Sequence, residues 1–230
     1  MIGANGLTLD PQGRLIVATY AGRSLMRIEK NGQRTVLADR YEGKRFGGPN
    51  DVVAKRDGAI YFTDGNGAYR LGNRDPRREI MSAAVYMWKD GKVTPAVTDM
   101  PGYNGLAFSP DEKYLYVNNS EPKKIWMRYR VQPDGSLTDA KLFYDATKDT
   151  RPGAPDGMKV DEKGNVYSTG PGGVWIFTPD GKPLGTIVMP EKSANVAWGG
   201  PDHKTLYITA SSSIYRIHLN VAGGPFVRGR

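Results

Sequence analysis

The stretch GAPDGMKVDEKGNVYSTGPGGVWIFTPDG (153–181) alternates short apolar runs with turn residues. VYSTG and GVWIF are rich in β-branched and aromatic residues, and DEKG, PGG and PDG break them at short intervals, which is the pattern of strands joined by tight turns. A similar phrase opens the chain as GANGLTLDPQGRLIVATY (3–20) and returns as GYNGLAFSPDEKYLYVNN (102–119). A polar side chain at one place in every copy belongs either to the architecture or to a shared site.

Five segments align on Asn5, Asn50, Asn104, Asp156 and Asn195, in steps of 45, 54, 52 and 39 residues. After each anchor comes an apolar stretch and then a polar turn: DPQG, KRDG, SPDE, DEKG and GPDH. A second strand follows (RLIVAT, AIYFTD, YLYVNN, NVYSTG, TLYITA), then a third (SLMRIEK, AVYMWKD, KIWMRYRV, GVWIFTP, SIYRIHL). In four of the five a further turn leads to a fourth strand, and the last segment, ending NVAGGPFVRGR, lacks an obvious one. Four antiparallel strands repeating every 40 to 50 residues or so predict an all-β chain forming one β-propeller domain, with blades beginning near 5, 50, 104, 156 and 195. The innermost strand of a blade lines the central channel, so these anchors would converge on one channel mouth. Asn and Asp are also good turn residues that bond their own backbone, and that reading stays open.

Composition agrees. The 230 residues suffice to bury a core, and 29 Gly with 16 Pro suit many tight turns better than helices. No run approaches the length of a membrane span, and MIGANGLTLD lacks the basic start and apolar core of a leader; the expectation is a cytoplasmic chain, or one whose leader has been removed. The absence of cysteine excludes thiolate metal sites and a Cys nucleophile. The net charge of +8 is scattered through turns apart from Arg74, Arg77 and Arg78, so neither nucleic acid nor membrane is an expected partner. His203 lies in a turn and His218 on a strand, and no Gly-x-Ser-x-Gly elbow accompanies them, which argues against a hydrolase triad. Trp88, Trp126 and Trp175 sit on the same strand of successive repeats, a place for packing rather than for stacking on a ligand.

The phrases themselves resemble the senescence marker protein/gluconolactonase family of six-bladed sugar lactonases. The likeness lies in RYEGKRFGGPNDVVAKRDGAIYFTD, NGLAFSPDEKYLYVNNS, PDGMKVDEKGNVYSTGPGGVWIF and GGPDHKTLYITASSSIYRI, which follow in order along nearly the whole chain. It implies an enzyme that opens a small-molecule sugar lactone with one divalent cation, calcium first, with zinc, manganese or magnesium as alternatives. Asn104 and Asp156 fall on metal ligands, and Asn50 on a residue facing substrate or metal. Asn5 is a pocket-lining candidate. Such oxygen donors suit a hard cation, and Asp156 could in addition take a proton from the attacking water. The long insertion 65–83 is a candidate lid, with Tyr69 and Arg70 reaching substrate.

One ligand implied by the resemblance, a Glu in a Glu-Gly-Pro phrase of a first blade, is absent, and Glu42 in YEGK is not its counterpart. Five blades are visible where the family has six. A truncated or diverged chain is expected ahead of a functional five-bladed ring, with completion by a second polypeptide the remaining alternative; weakened activity and self-association through an open blade edge would follow. The alternative function is a non-catalytic propeller that binds a peptide or protein. Another lactonase or a strictosidine-synthase-like propeller enzyme is a third reading.

Overall fold

The five polar turns are built alike in the computed structural model, which describes residues 3–65, 74–100 and 102–224. In each, the fourth residue donates its amide to the carbonyl of the first: Gly13 to Asp10, Gly58 to Lys55, Glu112 to Ser109, Gly164 to Asp161, and His203 to Gly200, at 2.8 to 3.2 Å. That fourth residue takes a left-handed backbone, from φ 55° at His203 to 88° at Gly164. Glycine adopts it freely, whereas Glu112 and His203 do so at some cost. His203 therefore occupies a glycine slot of the architecture.

Each turn joins the first two strands of an antiparallel meander. The sheets are β1 (Ala4–Leu9), β2 (Leu15–Thr19), β3 (Ser24–Ile28) and β4 (Arg34–Ala38); β7 (Pro49–Ala54), β8 (Ile60–Asp64), β9 (Ala84–Lys89) and β10 (Lys92–Val97); β11 (Leu106–Phe108), β12 (Tyr114–Asn119), β13 (Ile125–Val131) and β14 (Leu137–Asp145); β15 (Met158–Val160), β16 (Val166–Gly170), β17 (Gly173–Phe177) and β18 (Pro183–Val188). A fifth, of three strands among the described residues, is β19 (Ser193–Gly199), β20 (Thr205–Ala210) and β21 (Ile214–His218). A small hairpin, β5 (Arg40–Tyr41) with β6 (Lys44–Arg45), lies between the first two sheets in sequence. Strand order follows chain order in every large sheet, so each is a propeller blade. The fold is all-β and of the β-propeller class.

The chain divides into two compact units, the first carrying β1–β10 and the second β11–β21. In the first unit the initial strands β1 and β7 lie against each other; in the second, β11 lies against β15 and β15 against β19. Between the blades of the first unit sits a core of Ile16, Leu25, Phe46, Val52, Phe62 and Tyr86. The second unit has one core around Tyr116, Trp126, Met158, Trp175 and Phe177 and another around Val174, Val196, Trp198 and Ile208. Two tryptophans bond across neighbouring blades, the Nε1 of Trp88 donating to Leu37 O at 3.1 Å and that of Trp126 to Ser168 Oγ at 2.7 Å, while that of Trp175 donates within its own blade to Pro171 O at 2.9 Å. No helix among the described residues is long and apolar enough to cross a membrane.

Candidate functional site

The anchors sit where the first strand of each blade begins, at a break in its ladder with the second. In the first blade the register slips between Ala4 and Leu7, and in the second between Pro49 and Val52, so Asn5 and Asn50 occupy the same bulge position. Counting back from Leu106 and Met158 along their ladders puts Asn104 and Asp156 there in the third and fourth blades. The residue after the anchor must pass close to the next blade's first strand. A Cβ on Gly6 would lie 2.7 Å from Asn50 O, and one on Gly105 would lie 2.1 Å from Asp156 O. No side chain fits in either place, which is why Gly follows Asn5 and Asn104.

In the last blade the register corrects the sequence alignment. Asn195 donates its amide to Thr209 Oγ1 at 3.0 Å and accepts from Val196 N at 2.8 Å. Asp51, not Asn50, makes the same two bonds, with Thr63 Oγ1 at 3.0 Å and Val52 N at 2.8 Å. The fifth hairpin is one residue pair longer, so counting from its turn lands one residue late. Ala194 takes the anchor place, and Asn195 is an architectural residue whose side chain closes the bulge.

In the second unit, Asn104 and Asp156 stand at the same position of adjacent blades, both half-buried, with Gly105 against the Asp156 carbonyl. Asn104 Nδ2 donates to Ser120 Oγ at 2.9 Å, and Ser120 Oγ donates to Pro155 O at 2.6 Å. Asn118, fully buried, accepts from Gly105 N at 3.0 Å and donates from Nδ2 to Asp156 O at 2.6 Å. The hydrogen bonds thus fix both backbones and the amide plane of Asn104. Among the described residues no three His, Asp or Glu side chains gather as a metal site. Of the two ligands expected from the sequence, Asp156 offers a carboxylate and Asn104 an amide oxygen.

In the first unit, Asn5 is exposed and its Nδ2 donates to Asn50 O at 3.0 Å. The loop that delivers Asn50 is pinned from below: Gly47 N and Gly48 N donate to the two carboxylate oxygens of the buried Asp64 at 2.9 and 2.7 Å. Burial pushes the Asp64 carboxyl up to about 6, against the pull of those two amides and of Arg23. Glu42 holds a left-handed position (φ 49°) in the β5–β6 turn and accepts from Tyr41 OH, a local structural role. Tyr69 and Arg70 lie outside the described residues. Two members of the neighbouring arginine cluster are committed to the fold: Arg77 clamps Asp75 at 2.6 Å, and Arg78 donates to the carbonyl of Met81. Of the histidines, His203 fills its turn slot and His218 Nε2 lies 3.8 Å from Asp202 on the surface.

Asn118, Ser120 and Asp64 escaped the sequence reading because their partners are 38, 35 and 17 residues away. All three fall within the last two residues of the second strand of their repeats or just past it: Asn118 and Ser120 reach the next blade's anchor segment from there, and Asp64 reaches the loop before its own blade's anchor.

Residues 1–212 match the family model described as the SMP-30/Gluconolactonase/LRE-like region. The chain belongs to this family. Among the relatives of this SMP-30/gluconolactonase member is a gluconolactonase of Zymomonas mobilis, 35% identical over 96% of this chain and 64% of its own. A pentonolactonase, XacC, of Haloferax volcanii is 30% identical over 90% of this chain and 66% of its own. The chain therefore spans just under two thirds of the length of these relatives. A solved Xanthomonas campestris structure, described as a gluconolactonase important in glucose secondary metabolic pathways, superposes with a TM-score of 0.82 at 33% identity, covering 94% of this chain and 72% of that one.

Proposed function

We propose that this SMP-30/gluconolactonase member hydrolyses a sugar lactone, and that Asn104 and Asp156 hold one divalent cation for the reaction. The observation that carries the reading is their placement: the carboxylate and the amide stand at one register of adjacent blades, their backbones so close that Gly105 has no room for a Cβ. The names of the Zymomonas and Haloferax relatives supply the substrate class.

The donor set suits the ion. A carboxylate and amide oxygens are the ligands that hard cations prefer, and the chain has no thiol to draw a softer metal. Such an ion, when bound, polarises a carbonyl and makes water more acidic. The chain's own residues do the rest. The side-chain oxygen of Asn104 is turned away from Ser120, because its NH2 is committed there. Asp156 would hold the cation and also accept a proton from the attacking water. Water adds to the lactone carbonyl carbon, the ring C–O bond breaks, and the ring oxygen takes up a proton to give the hydroxy acid. Asn50 and Asn5 are proposed as polar contacts to substrate, as are Tyr69 and Arg70. With a single carboxylate among the proposed ligands, cation affinity should be modest, since ligand charge count is a main control on it.

A pH-stat assay with D-glucono-1,5-lactone and D-xylonolactone, with and without added calcium, manganese or zinc, tests the reading. Cation-dependent acid release that disappears in Asp156→Ala supports it. No turnover of either lactone with any of the three cations, or equal turnover by Asp156→Ala, overturns it.

A further inference from the structure

The ladder position that closes the bulge, on the second strand of each blade, carries Ala18, Thr63, Asn118, Thr169 and Thr209 in turn. At this position Thr63 and Thr209 each accept, through Oγ1, the backbone amide of the residue opposite in their own blade, both at 3.0 Å. Asn118 does the same for Gly105 N through Oδ1, and its longer side chain has an NH2 left over, which crosses to the carbonyl of Asp156. The amide stands at this register in the blade that Asp156 follows.

The direction of every bond in this cluster is determined. Gly105 N–H can only donate and the Asp156 carbonyl can only accept, so Asn118 cannot be flipped. The Pro155 carbonyl likewise can only accept, so it takes the one proton of the Ser120 hydroxyl. Ser120 is then left as an acceptor toward Asn104, which must present its NH2 and aim Oδ1 the other way. One hydroxyl and one amide thereby set the orientation of the Asn104 oxygen and the position of the Pro155–Asp156 backbone.

We propose that Asn118 and Ser120 are positioning residues that hold Asn104 and Asp156 as a preformed ligand pair. The inference rests on the cation-dependent reading given above. It assigns to neither residue any contact with cation or substrate. Residues that orient ligands in this way commonly cost ten- to a hundredfold in metal affinity when removed.

Three variants test it. Ser120→Ala deletes the acceptor, Ser120→Thr keeps it, and Asn118→Thr keeps the bond within the blade while losing the reach to Asp156. Manganese affinity by calorimetry, the thermal midpoint, and the side-chain NH2 resonances of Asn104 in the cation-free chain are measured, those resonances being assigned by their loss in Asn104→Asp. The expected results are about tenfold weaker binding for Ser120→Ala and Asn118→Thr, near-native binding for Ser120→Thr, and Asn104 resonances that move in Ser120→Ala but not in Ser120→Thr. Wild-type affinity in Ser120→Ala overturns this inference alone, as does failure of Ser120→Thr to restore what Ser120→Ala loses. A wild-type chain that takes up no manganese while the Asn104 resonances still respond to Ser120 overturns the proposed function, and the inference falls with it.

Discussion

Replacing Gly105 by Ala should force apart the two blades that carry Asn104 and Asp156. The added Cβ would stand 2.1 Å from Asp156 O, 3.0 Å from its carbonyl carbon and 3.1 Å from Gly157 Cα, all of them backbone atoms that cannot swing aside. Ordinary contact begins at 3.4 Å, so β11 and β15 would have to separate by about 1.3 Å, the difference between 3.4 and 2.1 Å. That movement stretches the 2.6 Å bond from Asn118 to the Asp156 carbonyl beyond hydrogen-bonding reach. Overpacking costs about 1–3 kcal/mol and an unsatisfied buried amide about as much again, so roughly 4 kcal/mol in total. Gly58→Ala is the control: its Cβ meets nothing within 4 Å, and only the left-handed backbone (φ 87°) penalises it, by about 1 kcal/mol. Urea unfolding of the two variants beside the wild type measures both. Should Gly105→Ala cost no more than Gly58→Ala, the close approach of the two anchors is not real and the proposed ligand pair loses its geometrical basis.

Two further outcomes concern stability. The Asp64 carboxyl, pushed up to about 6 from the usual 3.8 by burial, binds its proton more tightly in the folded chain than in the unfolded one. Its contribution is therefore most favourable in acid and is lost as pH rises from about 4 through about 6, on the order of 3 kcal/mol. Urea midpoints across that range should fall more steeply for the wild type than for Asp64→Asn, and parallel curves would refute the assignment. Trp126 is fully buried against Tyr144, Trp175 and Phe177 and bonds Ser168, so Trp126→Ala should cost about 3–5 kcal/mol by urea unfolding. A loss below about 1 kcal/mol would remove it from the interblade core.

The fold was legible because the repeat marks itself with turns. Each of the five carries a residue with left-handed φ at the same offset from the Asn or Asp on which the segments align, usually Gly, and the strands between them hold the β-branched and aromatic residues that pack between blades. The anchors were legible to the same extent in four blades. In the fifth, the extra residue pair of the β19–β20 hairpin shifted the alignment by one, since a sequence shows spacing from the turn but not where the bulge falls. A count of positive charges likewise does not reveal that Arg77 has its partner two residues away at Asp75. Asn118 and Ser120 lay beyond reach because what distinguishes them is the direction of bonds to carbonyls in the next blade, and backbone carbonyls carry no sequence signature.

Calorimetric titration of manganese or calcium into the wild-type chain, Asn104→Ala, Asp156→Ala and the exposed-carboxylate control Asp180→Ala tests the pairing of amide and carboxylate most directly. The expected result is one ion per chain for the wild type and for Asp180→Ala, with uptake abolished or at least tenfold weaker in the other two variants. Undiminished uptake by Asp156→Ala, or none by the wild type, would contradict it.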